Sequence, residues 1–429
     1  METERSENTK AKIRASMAAT KARRQTQVCR VFELKVSISH NPKSVFERMS
    51  QCFKEAKWVI NDILSLSKTN PDNNIFDYKY NEHKAVVHYV NDNTQFTSNI
   101  TLPSVLHRAI VAQKKMDIVN LSKSKLHGRK VGTLKFKRQV NSIPIITGYT
   151  RIIDNHRITI PGFTKIQVNG LDQLHQFDTF EIANANLIRK ASGYYVKLNI
   201  MLPKSTRIPT NKDVGVDFGI KTSLTTSDGD KYNCKVQESE YLKYLSRMLN
   251  RHKTEKDSKR RRRCKCQLAK EYEAMANRRK DIANKIYHKL VTDYDVIYFQ
   301  DEQIKNWHKG MFGKSVQSSC LGSLKQRLVA LESSGRSFKI SKWEPTTKLC
   351  PMCGSINYPT LADRIYKCDC GYIMDRDTHS ARVILMIGSP KRAECVEHTS
   401  AEVASSIQPA SAGLVHVAPM KRKQETLRI

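Results

Sequence analysis

"CDCGYIMDRDTH" (residues 368–379) sets two thiols one residue apart, a glycine, and then two aspartates flanking an arginine. Upstream, "CPMCG" (350–354) supplies a matching pair, so the pattern is C-x2-C, fourteen residues, then C-x-C. Cys350, Cys353, Cys368 and Cys370 are four candidate thiolates, and a glycine after each pair permits the tight turn that aims both sulfurs at one ion. Four thiolates suit tetrahedral structural zinc. The C-x-C half departs from the usual C-x2-C knuckle. Downstream, Asp375 and Asp377 open an apolar helix, where the helix dipole alone favours acids. Taken singly, they read as caps.

Two further acids change the weight of that pair. "DVGVDFGIKTSLTTSDGDKYN" (213–233) reads as strand, turn, strand, turn, strand, with Asp217 inside the first apolar run between Val216 and Phe218. A buried carboxylate there needs compensation. The ordinary alternative is an aspartate on a solvent-facing strand position. A kinase reading of "DFG" fails, because neither an "HRD" loop nor a glycine-rich loop precedes it. "DYDVIYFQDE" (293–302) ends a second buried strand with Asp301 and Glu302, although acids commonly end strands. The set is more specific than its members. Three carboxylates converging on one point repel each other unless divalent cations hold them. Magnesium prefers such oxygen ligands, and a metal pair about 4 Å apart clamps the oxygens exchanged in phosphodiester cleavage.

Charge names the polymer. The 429 residues hold 74 Lys and Arg against 41 Asp and Glu, a formal charge of +33. Such a chain expects a polyanion, and nucleic acid is favoured through counterion release. No apolar run approaches the roughly 20 residues that span a bilayer, and the polar start "METERSENTKAK" lacks a secretory segment. A soluble, cytoplasmic protein is expected, acting on nucleoid DNA, with no membrane partner. Eleven cysteines, an odd number, argue against a disulfide framework. The basic stretch 245–290 offers Arg260, Arg261, Arg262, Arg263, Arg278 and Arg279 for phosphate contact, since guanidinium matches phosphate bidentately. Its plain alternative is a solvated charged helix, and Cys264 and Cys266 within it lack a partner pair.

Along the chain, residues 1–25 read as a flexible basic arm. Residues 26–42 and 131–212 alternate with period two and form a β-domain, turning at Ser192–Gly193. Residues 43–130 interrupt it with a helical insert, its first apolar face being Phe46, Met49, Phe53, Ala56, Ile60 and Ile63. An α/β unit follows over 213–344 and 373–387, with the cysteine ribbon embedded at 345–372. The Ser-, Ala- and Pro-rich remainder, 388–429, reads as a disordered tail.

"VGVDFGIKT", "DYDVIYFQDE" and "TTKLCPMCG…YKCDCGYIMDRDTHSA" resemble the three split nuclease motifs and zinc ribbon of TnpB proteins, transposon-associated relatives of compact type V CRISPR effectors. The resemblance is specific over 213–387 and architectural over 26–212. It implies an α+β multidomain protein: a barrel-like wedge (OB-like) domain with a helical recognition insert, then a RuvC-like nuclease of RNase H fold carrying a nucleic-acid-binding ribbon. It implies an RNA-guided DNA endonuclease whose partners are a guide RNA and double-stranded target DNA with a short adjacent motif, a monomer being favoured. Asp217, Glu302 and Asp377 would then be catalytic ligands of two Mg²⁺ or Mn²⁺ ions, with Asp301 as the alternative to Glu302, and the four cysteines would hold one zinc. Two positions depart from the family pattern: Gln300 stands where a glutamate is usual, and His379 where asparagine is usual. A nuclease-dead, RNA-guided repressor and a strand-transferring transposase remain alternatives.

Overall fold

The computed structural model describes residues 2–69, 76, 78–91, 94–132, 134–204, 207–251, 258–360 and 362–389. The expected tail therefore lies outside the described residues beyond 389. The chain forms two compact units, Met1–Thr206 and Arg207–Lys423. The border falls before the expected 212–213 because residues 207–211 are tied to the second unit. Arg207 pairs with Asp295 at 3.0 Å, and that carboxylate also accepts the backbone N–H groups of Thr210 and Asn211.

In the first unit, residues expected as a flexible arm form helix α1 (Glu2–Gln25). The stretch is dense in Ala, Lys, Arg and Glu, strong helix formers. It lacks an apolar stripe, which is why periodicity misses it. Arg24 ties its end to Glu181 at 2.7 Å. There follow β1 (Gln27–Val36), α2 (Lys43–Thr69), β2 (Ala85–Asn91), β3 (Thr94–Asn99), α3 (Ser104–Leu126), β4 (Ser142–Ile145), β5 (Arg151–Ile152), β6 (Arg157–Ile160), β7 (Phe163–Asn169), β8 (Glu181–Lys190) and β9 (Gly193–Pro203). Seven strands form one sheet in the order β4-β8-β9-β1-β7-β6-β5, and no pairing among the described residues closes it into a barrel. The insert shares its core: Met49, Phe53, Ala56, Ile60 and Ile63 of α2 bury against the sheet cluster containing Val196, Leu198 and Ile200. It is also not wholly helical, since β2 and β3 pair as a hairpin inside it.

The second unit is built on β10 (Asp213–Phe218), β11 (Leu224–Thr226), β12 (Lys231–Tyr232), α4 (Glu240–Arg251), α5 (Lys259–Asp293), β13 (Val296–Gln300), α6 (Ile304–Trp307), α7 (Gly313–Ser318), α8 (Leu321–Leu331), β14 (Ser337–Ile340), β15 (Ile365–Lys367) and β16 (Ile373–Asp375). A last helix, α9, covers 376–389. Its sheet runs β12-β11-β10-β13-β14. β10, β13 and β14 are parallel, whereas β11 and β12 return antiparallel. Both faces are covered, as parallel strands require. Val214, Val216, Phe218, Ile297 and Phe299 pack under Ala283, Ile286 and Leu290 of α5 and Leu321, Leu324 and Leu328 of α8. Val296 and Tyr298 turn the other way, onto Ile384 of α9. Gly215 lies on that second face, where a Cβ would stand 2.0 Å from the Ala381 carbonyl oxygen. Only glycine lets the helix sit so close.

Candidate metal centre and nucleic-acid interface

Alternation along β10 places Asp217 on the same face as Gly215, two residues on. That face meets α9 at Ala381. Asp377 precedes Ala381 by four residues and so shares its side of the helix. The same local geometry that brings the backbones together therefore turns the two carboxylates toward each other. β13 runs parallel to β10, with Val216 beside Phe299, so Glu302 follows at the same carboxyl edge of the sheet. In parallel sheets this edge is where ligands collect.

The electrostatics agree. The Asp217 carboxyl is pushed up to about 8, first by burial and then by the charges of Asp377 and Glu302, with the Phe218 backbone and Arg376 pulling back more weakly. Burial also raises Glu302, against the ammonium groups of Lys325 and Lys342 and with a smaller upward push from Asp301. Of the acids named by sequence, Asp377 and Glu302 thus both bear on Asp217. Asp301, the alternative second acid, is ion-paired. It accepts from Lys325 Nζ, and the same ammonium reaches the Glu302 carbonyl at 2.7 Å. Lys325 was not legible beforehand, because it comes from α8, whose packing no local motif announces.

Asp375 and Asp377 separate into two roles. Asp375 accepts from the backbone N–H and hydroxyl of Thr378 at 3.2 and 3.1 Å and pairs with Lys231 at 2.9 Å. It is the cap of α9. Burial would raise its pKa, but Lys231 and the Thr378 donors outweigh that and hold it below the usual carboxylate range. Gln300 has a structural task. Its amide donates to the carbonyls of Ser341 and Glu344 at 3.2 and 3.0 Å and accepts from the Thr346 hydroxyl at 3.1 Å. A glutamate there could not donate to those carbonyls.

The four cysteine sulfurs converge, all donor atoms lying within 4.8 Å of one another. Cys350 and Cys370, and likewise Cys353 and Cys368, stand 3.6 Å apart. That exceeds a disulfide and matches the roughly 3.8 Å between sulfurs held about 2.3 Å from a tetrahedral zinc. The C-x-C half works because it forms the turn of the β15–β16 hairpin. Gly371 takes φ +89° there, and the N–H of Cys368 donates to the Tyr372 carbonyl. Strand β16 then ends on Asp375, the α9 cap. A second link is His379, fully buried and stacked 3.6 Å from the ring of Tyr366 in β15. Burial lowers its pKa to about 4, so the imidazole is neutral. An aromatic at this position joins ribbon to helix, which accounts for the departure from asparagine. Among the described residues the four cysteines alone converge in this way; the three carboxylates do not.

Of the six arginines, two hold the fold. Arg261 donates to the Leu249 carbonyl at 2.8 Å, and Arg279 donates to that of Gln317. Arg260, Arg262, Arg263 and Arg278 are exposed. The 35-residue α5 runs about 50 Å. Its carboxyl-terminal half packs on the sheet, and Leu268 and Met275 pack with Leu242 of α4. Among the described residues no helix is long and apolar enough to cross a membrane.

Comparison with known proteins gives the same two segments. The family described as "Probable transposase" matches residues 197–307, and "Cas12f1-like, TNB domain" matches 329–384. A putative RNA-guided DNA endonuclease of Streptomyces pristinaespiralis is 28% identical over 42% of this chain and 46% of its own length. A putative transposase of Acanthamoeba polyphaga mimivirus is 29% identical over 46% of this chain and 45% of its own. The chain thus spans about half the length of these curated relatives. A Cas12f1 chain solved in complex with single-guide RNA and target DNA covers 84% of this chain at 12% identity, with a TM-score of 0.46.

Proposed function

We propose that the chain is a TnpB-family, RNA-guided DNA endonuclease whose second unit is a RuvC-like nuclease. One observation carries the reading: β10 and α9 meet at Gly215 and Ala381 beside Asp217 and Asp377, and Glu302 follows β13 at the same carboxyl edge of the parallel sheet. Structural ends do not require such a grouping, since three like charges gathered in a half-buried site destabilise each other. Their oxygens fit Mg²⁺ or Mn²⁺, and the ions would supply charge neutralisation for the attacking and leaving oxygens of a phosphodiester. The residues' own part is positional. β10 and α9 fix Asp217 and Asp377 across the Gly215 contact. Lys325 engages Asp301 and the Glu302 backbone carbonyl, fixing the segment that carries Glu302. The cysteines fit one structural zinc, which would hold the β15–β16 hairpin and, through it, the start of α9. Guide RNA and target DNA are the partners that the relatives' names and the +33 charge support. A nuclease-dead relative would lack one of the three acids; all three are present.

The test is direct. The chain is purified with the RNA encoded at its native locus, and the RNA is sequenced. The loaded protein is then offered DNA complementary to that RNA, with and without Mg²⁺. Guided, Mg²⁺-dependent cutting that disappears in Asp217→Asn, while DNA binding persists, is the expected result. Cutting that ignores guide sequence would overturn the RNA-guided reading.

A further inference from the structure

Trp343 is 81% exposed, yet its loop is pinned. The loop follows β14, and the buried Gln300 amide clasps it at both ends, on the carbonyls of Ser341 and Glu344. The Trp343 N–H donates to the Ser341 hydroxyl at 3.3 Å, and the Glu344 N–H to the Ser341 carbonyl at 3.2 Å. A single exposed apolar side chain needs no explanation by itself. Two features set this one apart. The Lys342 ammonium lies 4.2 Å over the indole ring. The loop also leaves β14 at Ile340, which pairs with Gln300 of the parallel strand β13, and the Asp301 N–H donates to the Ile340 carbonyl at 3.0 Å, so the loop begins at the same carboxyl edge of the sheet as Glu302. Further along, Lys348 lies 4.6 Å over Tyr358, which is 77% exposed.

We infer that Trp343 is a stacking platform for an unpaired base of single-stranded DNA, with Lys342 meeting the adjoining phosphate. Every base has a π-face, so stacking grips a strand without reading its sequence, and a nearby cation tracks the backbone. A pinned loop suits this task, because little side-chain or backbone freedom is lost when the base arrives. That the strand is the one being cut rests on the nuclease reading; that a base stacks on Trp343 does not.

The experiment therefore separates the two. The full chain, without guide RNA, is titrated with a short oligothymidylate while tryptophan fluorescence and oligonucleotide anisotropy are followed. Quenching is expected in the wild type, in Trp58→Phe and in Trp307→Phe, and is expected to vanish in Trp343→Phe, which removes the reporter and keeps a ring. Trp343→Ala should weaken binding about tenfold, the size of one lost base stack, with Trp343→Phe recovering most of it and neither variant changing the melting temperature. Quenching that survives in Trp343→Phe, or wild-type affinity in Trp343→Ala, would overturn the platform. A wild type that is quenched but never cuts guided DNA would keep the platform and remove the nuclease reading.

Discussion

Asp217 titrates near 8 in the fold, whereas an aspartate in an unfolded chain titrates near 4. Between those values the folded chain binds more protons, so stability falls as pH rises through the window. Metal-free protein should therefore melt at a lower temperature at pH 8 than at pH 5, and Asp217→Asn should flatten that slope. Equal slopes would detach Asp217 from the other two acids. Activity should rank by position. Glu302→Gln should cut at least about a hundredfold more slowly, as expected for loss of a ligand that stabilises developing charge, while Asp301→Asn retains measurable cutting. The reverse order in a single-turnover assay would move the second acid. All three candidate acids are legible in the sequence because each interrupts, ends or opens an apolar run. Choosing between neighbours is not legible. Asp301 is set apart by Lys325, and Asp375 by Lys231 and Thr378; of these only Thr378 is local.

At the scale of elements, the contact between β10 and α9 depends on one missing Cβ. Gly215→Ala would meet backbone, which cannot swing aside as a side chain can. The helix would have to lift, carrying Asp377 with it. A lower melting temperature and about tenfold or greater loss of cutting are expected together, because 1 Å misplacements in a catalytic site are costly. Preserved activity would mean that α9 does not set the position of Asp377. The ribbon gives a second test. Cys368→Ser should lower bound zinc below one per chain by elemental analysis and slow cutting, while RNA binding largely persists. Unchanged stoichiometry would exclude Cys368 as a ligand. Periodicity finds α2 and the strands β1, β9, β10 and β13, whose apolar residues repeat. It misses α1, which has no apolar face, and β14 and α8, which form around partners distant in sequence. The β2–β3 hairpin escapes for a related reason, lying between two strongly periodic helices that dominate the reading of that region.

At the scale of the whole molecule, the +33 charge makes affinity for RNA a steep function of salt. Arg263 and Arg278 are exposed on α5, so replacing each with Gln should lower the slope of log affinity against log salt by about one. Arg279→Gln should instead lower the melting temperature, since its guanidinium holds the Gln317 carbonyl. A slope unchanged in both surface variants would place the RNA elsewhere. The sequential spread of the three acids has a consequence for how the protein is made. Asp217 and Asp377 lie about 160 residues apart, and α9 is the last described element to join the sheet. A ribosome adding about 5–20 residues per second needs roughly ten to thirty seconds to cover that span. For the last 75 residues of that span, after Glu302, the nascent chain already has its basic helix but only two of its three acids. On the proposed reading, nuclease activity would begin only with the docking of α9, so synthesis itself would act as the safety catch.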